Sequence, residues 1–306
     1  MGDLLKDRVA IITGSGGGIG RAEALAMARE GAKVVVNDYG VTREGADPSV
    51  GPAQGVVEEI KAMGGEAVAS YESVADFQAA KRIVQTAVDS FGRVDILVNN
   101  AVIFHDKLFY ELTEDDWDSV IAVILKGAFN MCRHAVPIMR QQKYGRIVNT
   151  TSGQWRNPEG RANYAAAKGS VVSLTWDLAW ELRNDGITVN AIAPFAIGRN
   201  NQAAFGHEKS LADAGLKVQK RQHHMRGGPE CVAPMVAYLV SDLASNVNGR
   251  VFYVAGGTVA LYSHPEESRG IFKDHVNNGP WTIEELTRLL PSTVLGRDTK
   301  APHIPD

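Results

Sequence analysis

The sequence has few cysteines and little excess charge of either sign. Its 306 residues include two cysteines, Cys132 and Cys231, which lie far apart in the chain. This excludes a disulfide framework and a CxxC metal or redox motif, and we interpret both residues as buried and apolar in a reducing compartment. The 32 basic residues nearly balance the 35 acidic ones, without a long basic run. We therefore expect no nucleic-acid partner.

A long apolar run is also missing from the N-terminal segment. The charged start MGDLLKDR leads into Val9–Ile12, which is too short for a signal-peptide core or a membrane-spanning helix. Lys6 stands where a myristoylation signal requires serine or threonine. We therefore expect a cytoplasmic protein with no membrane partner.

Short β-branched runs alternate along the chain with stretches of helical spacing. Each run is typical of a strand that is buried on both faces. The alternation predicts an α/β, Rossmann-type doubly wound fold with a mainly parallel seven-stranded sheet, helices on both faces and a ligand cleft at the carboxyl ends of the strands. The seven runs are Val9–Thr13, Val34–Asn37, Ala67–Ser70, Ile96–Val98, Ile147–Asn149, Thr188–Ile192 and Val251–Val254.

Three segments interrupt this alternation. Residues 40–55 contain several glycines and prolines and are predicted to form a loop after the second strand. Residues 195–229 are the candidate substrate lid of a domain that spans 1–258. Residues 259–306 form a C-terminal extension, with one predicted helix at 282–290, which we expect to pack on the domain or on a partner subunit.

A glycine-rich segment, TGSGGGIGR, follows the first strand and precedes an alanine-rich helix. In this position glycines let the backbone approach a pyrophosphate, while the helix directs its first N–H groups at the anion. The alternative is a glycine turn without a ligand. The candidate cofactor-binding residues are Gly14, Ser15, Gly17, Gly18, Ile19 and Gly20.

An acidic residue, Asp38, ends the second strand. A carboxylate there accepts hydrogen bonds from the adenosine ribose and repels a 2'-phosphate, so the sequence predicts NAD rather than NADP. The alternative is a solvated or capping aspartate.

Three side chains are candidates for proton transfer. Tyr164 and Lys168 project from the same face of a predicted helix because they lie four residues apart. A nearby ammonium favours a phenolate, so we expect Lys168 to lower the pKa of Tyr164; the alternative is a packing pair. Ser152 follows the fifth strand and is placed to bond a carbonyl or alkoxide oxygen. A serine nucleophile is disfavoured because Thr150 and Gln154 replace the glycines of a GxSxG elbow.

Together these motifs resemble the short-chain dehydrogenase/reductase family over about residues 5–258. The resemblance implies NAD-dependent hydride transfer between a secondary alcohol and a ketone, with no metal. Tyr164 is then the general acid/base, Lys168 holds the ribose, and Ser152 orients the substrate oxygen. It also implies a homodimer or homotetramer. The motifs are Thr13-Gly14-x-x-x-Gly18-x-Gly20, Asn99-Asn100-Ala101, Ser152 and Tyr164-x-x-x-Lys168, and the further cofactor contacts implied are Ser73, Val74, Asn100, Ala101, Pro194 and Ile197.

Within that family, Asn37-Asp38 with its long glycine-rich loop and the segment Glu230-x-Val232-Ala233-Pro234 resemble one group. This group is the (3R)-hydroxyacyl-CoA dehydrogenase unit of peroxisomal multifunctional enzyme type 2, with its bacterial relatives. The similarity implies a 3-hydroxyacyl-CoA substrate. A steroid or cyclic terpenoid alcohol is an alternative, and so is a non-catalytic, nicotinamide-binding redox sensor.

The sequence departs from the family pattern at three places. Val102 replaces the usual glycine after Asn-Asn-Ala, and we expect it to narrow the pocket beside the nicotinamide. Ile124 replaces an asparagine or histidine and cannot hold a relay water with its side chain, so we expect weakened or rerouted proton delivery. The loop between Ser152 and Tyr164 is one residue shorter than in many relatives, and we expect Trp155 there to form a pocket wall.

Histidines in the candidate lid raise the question of a metal site. His207, His223 and His224 are not accompanied by the Asp or Cys spacing that such a site needs. We therefore predict no metal.

Overall fold

The computed structural model describes residues 2–156, 159–197, 209–216, 227–267 and 269–295. The chain divides into two compact units, Met1–Tyr262 and Ser263–Asp306. The first unit extends beyond residue 258 because one further strand, Thr258–Leu261, belongs to its sheet.

The sheet has eight strands in the order β3-β2-β1-β4-β5-β6-β7-β8. Neighbouring strands are parallel except β7 and β8, which pair antiparallel. The α/β prediction is confirmed, whereas the predicted count of seven strands was one too low, because the last strand is short and mostly exposed and lacks a buried pattern. The strands are β1 Val9–Thr13, β2 Lys33–Asn37, β3 Ala67–Ser70, β4 Ile96–Asn99, β5 Gly145–Thr150, β6 Ile187–Phe195, β7 Val251–Ala255 and β8 Thr258–Leu261.

Helices connect the parallel strands. The second helix begins at Gly51, so the last five residues of the predicted 40–55 loop are helical; Pro52 fits there because its ring suits the first helical turn. A π-helical turn, Ala122–Lys126, joins two α-helices into one continuous rod. The helices of this unit include α1 Gly18–Arg29, α2 Gly51–Ala62, α3 Phe77–Phe91, α4 Glu114–Ile121, α5 Gly127–Gln142, α6 Ala162–Glu181 and α7 Ala233–Leu239.

The core lies on both faces of the sheet. Along β1, Ala10 and Ile12 belong to one buried cluster with side chains of α1, α2 and α7. Val9 and Ile11 point the other way, into a cluster with side chains of α3 and α5. Successive strand residues alternate between faces, so a strand of continuous apolar residues needs helices on both sides. This arrangement is the doubly wound one.

The second unit contains α8 (His275–Asn278) and α9 (Ile283–Leu289). The helix predicted at 282–290 is therefore present. Thr282 and Glu285 form its N-terminal capping box: the Thr282 hydroxyl accepts from the Glu285 N–H at 3.2 Å, and the Glu285 carboxylate accepts from the Thr282 N–H at 2.9 Å.

One side-chain prediction needs correction. Cys132 is buried as expected, but Cys231 is only partly buried. Trp176 and Trp180 lie four residues apart on α6, a spacing that places them on the same side of a helix. Trp176 packs beside a buried cluster, whereas Trp180 is 66% exposed.

The helical run Glu114–Gln142 has the length and composition to cross a membrane, with a mean hydropathy of 1.2 over its most apolar part. Of that part, 44% is buried within the fold. The core helix of a globular protein has the same pattern, so length and composition alone are weak evidence for a span.

Candidate active site

A cleft of about 640 Å³ opens at the carboxyl ends of the strands. It lies where the strand order reverses between β1 and β4, which is where open α/β sheets bind ligands. The volume is in the range of small-molecule sites. Nine of the predicted cofactor residues line it, namely Gly14, Gly17, Gly18, Ile19, Asp38, Ser73, Val74, Asn100 and Ala101.

The glycines of the first loop have different structural roles. Gly14 adopts φ +64°, and a Cβ there would lie 2.8 Å from the Cα of Ala101. A Cβ on Gly20 would lie 2.5 Å from the side-chain nitrogen of Asn100. Gly18 also has positive φ but faces open space. Two glycines therefore permit close packing, and the third leaves the cleft floor clear.

The N-terminus of α1 is suited to an anion. Gly17 is the N-cap, no side chain caps the helix, and its first turn has no acidic residue. The first N–H groups therefore remain available to a pyrophosphate, as the glycine motif predicts. Ser15 does not line the cleft: it is fully buried and its hydroxyl donates to the Ile12 carbonyl at 2.7 Å. This loop fits a dinucleotide cofactor.

Asp38 is fixed in the cleft by two backbone amides. One carboxylate oxygen accepts from the N–H of Gly16 and the other from the N–H of Gly40, each at 2.7 Å. Each oxygen has a further lone pair for a hydroxyl donor. The carboxylate is therefore oriented before any ligand arrives.

Thr13 and Asn100 join the loops that follow β1 and β4. The Thr13 hydroxyl accepts from the backbone N–H groups of Asn100 at 3.0 Å and Ala101 at 3.1 Å. The Asn100 side chain donates to the carbonyls of Thr13 at 2.9 Å and Gly14 at 3.0 Å. These bonds fix the width of the cleft between the two strands.

A buried amide network, missed in the sequence, lies beneath the site. Asn99 donates to Asn149 at 2.8 Å, and Asn149 donates to the Thr175 hydroxyl at 2.9 Å. The network joins β4, β5 and α6. Polar residues within apolar strands were its only signal, since the pairing depends on strand order.

The structure brings Ser152, Tyr164 and Lys168 together, and all three are buried. Ser152 follows β5, and its hydroxyl accepts from the Gln154 N–H at 3.3 Å. The Lys168 ammonium donates to the Thr150 carbonyl and lies 5.7 Å from the centre of the Tyr164 ring. The Thr151 hydroxyl donates to the Lys168 carbonyl at 2.6 Å. The α6 helix is thereby fixed against the end of β5.

The predicted lowering of the Tyr164 pKa was wrong. Burial raises the pKa of Tyr164 to about 12, partly offset by the Ser152 side chain and by the charge of Arg161. Burial also lowers the pKa of Lys168 to about 7. The effect of lost hydration on the Tyr164 pKa therefore exceeds the effect of the neighbouring groups. Lys168 is only partly protonated near neutral pH and so favours the phenolate less.

An aromatic stack, also missed in the sequence, covers Tyr164. The Phe104 ring lies 4.9 Å from the Tyr164 ring at an angle of 25°. Arg43, on the loop after β2, places its guanidinium 4.5 Å from the centre of the Phe104 ring. The three groups form a layered contact from the cofactor loop to α6.

A family model described as enoyl-(acyl carrier protein) reductase matches residues 14–259. The chain is 36% identical to hydroxyacyl-CoA dehydrogenase ChsB1 of Mycobacterium tuberculosis, covering 96% of this chain and 90% of that one. The chain belongs to the short-chain dehydrogenase/reductase family. The predicted resemblance is thus confirmed, and the chain carries the domain of a family of CH–OH oxidoreductases that use nicotinamide cofactors.

Other members of the short-chain dehydrogenase/reductase family extend the comparison. Peroxisomal multifunctional enzyme A of Dictyostelium discoideum is 44% identical over 83% of this chain, which spans only 54% of that relative. A short-chain dehydrogenase structure from Mycobacterium avium is 40% identical, with a TM-score of 0.80 and 98% coverage of both chains. One from Mycobacterium paratuberculosis, bound to NAD, is 26% identical, with a TM-score of 0.75, covering 83% of this chain and 98% of that one.

The departures from the short-chain dehydrogenase pattern are visible in the structure. Val102 lines the cleft without adopting a left-handed backbone. Ile124 is buried in a cluster with Tyr164 and lines a cavity of about 10 Å³ beside Lys168. A cavity of this size is at the lower limit for one water molecule.

Some predicted residues of this short-chain dehydrogenase lie away from the cleft. Pro194 and Ile197 do not line it, although Ala196 between them does. Trp155 packs edge-on against Tyr262 at 5.8 Å instead of forming a cleft wall.

Part of the candidate lid lies outside the described residues, including His207, His223 and His224. Within the described ranges, no three His, Cys, Asp or Glu side chains are grouped to hold a metal ion.

Proposed function

We propose that the protein is an NAD-dependent dehydrogenase that interconverts the secondary alcohol and ketone of a 3-hydroxyacyl-CoA. The observation that carries the NAD preference is the fixed carboxylate of Asp38 in the cleft. A 2'-phosphate beside it would meet a negative charge, whereas a ribose diol would find acceptors. The relatives named hydroxyacyl-CoA dehydrogenase and peroxisomal multifunctional enzyme support the substrate class.

The surroundings of Asp38 also favour NAD. An NADP site needs a cation for the extra phosphate. Arg43 lines the cleft, but it already pairs with Asp106 and lies 3.6 Å from Glu44. Glu72 adds a second carboxylate to the lining. A phosphate would therefore have to displace existing ion pairs.

The proposed proton transfer is carried by Tyr164, with Ser152 and Lys168. The nicotinamide, when bound, supplies or accepts the hydride. Burial raises the pKa of Tyr164 to about 12, so this residue holds its proton at neutral pH and donates it only as negative charge develops on the carbonyl oxygen during hydride transfer. Ser152 donates a hydrogen bond to the same oxygen. In the direction of alcohol oxidation, Tyr164 must be a phenolate before it can accept the hydroxyl proton. Added positive charge beside it would favour that phenolate.

The first experiment compares NADH and NADPH oxidation with 3-oxoacyl-CoA thioesters, ketosteroids and small cyclic ketones. We expect NADH oxidation with the thioesters and a much lower kcat/KM with NADPH. Turnover of a ketosteroid or cyclic ketone alone would favour the steroid or terpenoid alternative. NADH binding without turnover of any substrate would favour the redox-sensor alternative, and equal efficiency with both cofactors would contradict the role of Asp38.

We also propose that the enzyme is a cytoplasmic homodimer or homotetramer without nucleic-acid or membrane partners. Trp180 on α6 is 66% exposed and Phe129 on α5 is 47% exposed. Large apolar side chains exposed on adjacent helices are typical of subunit interfaces. Light scattering of the purified protein measures the assembly, and Trp180→Lys should weaken it. A monomer at micromolar concentration would contradict the proposal.

A further inference from the structure

An alternating chain of five charged side chains lies beside the aromatic stack. Arg43 pairs with Asp106 and lies 3.6 Å from Glu44. The Arg161 Nε lies 2.7 Å from the other oxygen of Asp106, and its Nη1 lies 3.9 Å from Glu159. The three central side chains are only 10–15% exposed. Burying such charges is costly, so their presence calls for a role besides stability.

This row of five charged side chains connects three separate loops around Tyr164. Arg43 belongs to the loop after β2, and Asp106 to the loop after β4. Arg161 is the N-cap of α6, three residues before Tyr164. The N–H of Phe104 donates to the Arg43 carbonyl at 2.9 Å, which fixes the first two loops together. The position of Arg161 relative to Tyr164 is therefore set by contacts from several directions.

Arg161 differs from Lys168 in how firmly it keeps its positive charge. An arginine side chain keeps its proton under all conditions that a protein tolerates. Lys168 is buried, its pKa is lowered to about 7, and it donates to the Thr150 carbonyl. Near neutral pH, Arg161 is the permanent cation and Lys168 the partial one.

The charges around Tyr164 act in opposite directions. Arg161 lowers the pKa of Tyr164, whereas Glu159 and Asp106 raise it. Glu159 is held by the side chain of Gln154, which donates to it at 2.8 Å. Arg161 and Glu159 thus oppose each other from one loop, while Asp106 acts from the loop after β4.

We propose that Arg161, held by Asp106, is the positioning residue whose fixed charge makes it easier for Tyr164 to release its proton, with Glu159 opposing it. The inference rests on the proposed acid/base role of Tyr164. The remaining charged groups on elements packed against Tyr164 are already engaged or exposed. They include Lys168 on α6, Asp116 on α4 with its partners Lys107 and His105, the exposed carboxylates Glu114, Asp115 and Asp118 of α4, and exposed Lys126 on the π-helical turn.

The test uses two substitutions with opposite expected signs. Arg161→Gln should raise the pKa of Tyr164 by about one unit, and Glu159→Gln should lower it by a smaller amount. Arg161→Lys loses its charge before Tyr164 titrates, because a lysine side chain has an ordinary pKa of about 10.4, so this variant should shift the pKa of Tyr164 upward as Arg161→Gln does. The pKa is read from tyrosinate absorbance in the cofactor-free protein, after subtraction of the same titration with Tyr164→Phe. The basic limb of the kcat/KM profile should move in the same directions.

The outcomes separate this inference from the proposed function. Opposite shifts support it, while no shift, or shifts of the same sign in both Gln variants, would overturn it. If Arg161→Gln does not fold, Arg161→Lys and Glu159→Gln decide the question. Should no substrate turn over, the proposed function fails, but the absorbance titration still measures the effect of Arg161.

Discussion

The cofactor cleft and the buried catalytic cluster beside it are held in place by different kinds of contact. The cofactor side, from the glycine loop to Asp38 and Asn100, is fixed mainly by hydrogen bonds to backbone groups. The catalytic side, around Tyr164, is fixed by side chains from distant loops, such as Phe104 and Arg161. Backbone contacts tolerate changes in neighbouring side chains, whereas side-chain contacts depend on each partner. The catalytic side is therefore more sensitive to substitution.

Tyr164→Phe separates the two sides most sharply. Loss of the phenol removes the proton-transfer group, so we expect kcat to fall by about 100-fold or more. NADH affinity, measured by fluorescence titration, should change little because the cofactor side is intact. As the control, Tyr71→Phe removes an exposed hydroxyl that bonds Gln54 and should keep normal turnover. A Tyr164→Phe enzyme with normal kcat would contradict the assignment.

Gly14→Ala should disturb the packing of the cofactor side and leave the catalytic side unchanged. The new Cβ would lie 2.8 Å from backbone of Ala101 at a residue with φ +64°. We expect a loss of about 1–3 kcal/mol in the free energy of unfolding, together with weaker NADH binding. Gly55→Ala is the matched control, since nothing lies within 4 Å of a Cβ there. Equal stability of both variants in denaturant titrations would show that the close approach is unimportant.

Asp38→Asn sharpens the comparison at the adenosine end. Removal of the negative charge should lower the preference for NADH over NADPH by about tenfold, because a charged hydrogen bond and a repulsion are both weakened. Asp47→Asn, an exposed residue of the same loop, is the control and should leave the preference unchanged. The measurement is kcat/KM with each cofactor; an unaltered ratio in Asp38→Asn would rule out this carboxylate as the selector.

Buried Glu23 should make the stability of α1, the helix beside the cofactor side, depend on pH. It is fully buried on α1, and neither carboxylate oxygen has a hydrogen-bond partner among the described residues. Burial raises its pKa from 4.5 to about 8. Between these values the unfolded chain releases the proton while the folded chain keeps it, so stability should fall as pH rises.

Glu23→Gln should abolish this fall and raise stability at pH 8 by about 1 kcal/mol. Urea titrations at several pH values measure the effect. Glu58→Gln, on the exposed face of α2, should keep the wild-type dependence. A wild-type stability that does not change across this pH range would refute the explanation.

Sequence reasoning was most successful where local backbone decides the structure. The glycine loop needs positive φ and close approach, which only glycine permits, so Gly14 and Gly18 were readable from the sequence. Phe104 and Arg161 gave no such signal, because their role depends on loops brought together by strand order. The direction of the Tyr164 pKa was wrong for a related reason: a spacing of four residues reveals a neighbour but not the depth of burial.

The π-helical turn Ala122–Lys126 changes the direction in which side chains face along the continuous helical rod. Each added residue rotates the following side chains by about 100° around a helix axis. Before the turn, Val120 faces the cluster around Tyr164; after it, Met131 and Met139 face the core beneath the sheet. One rod can thus supply an active-site wall at one end and a core-packing face at the other.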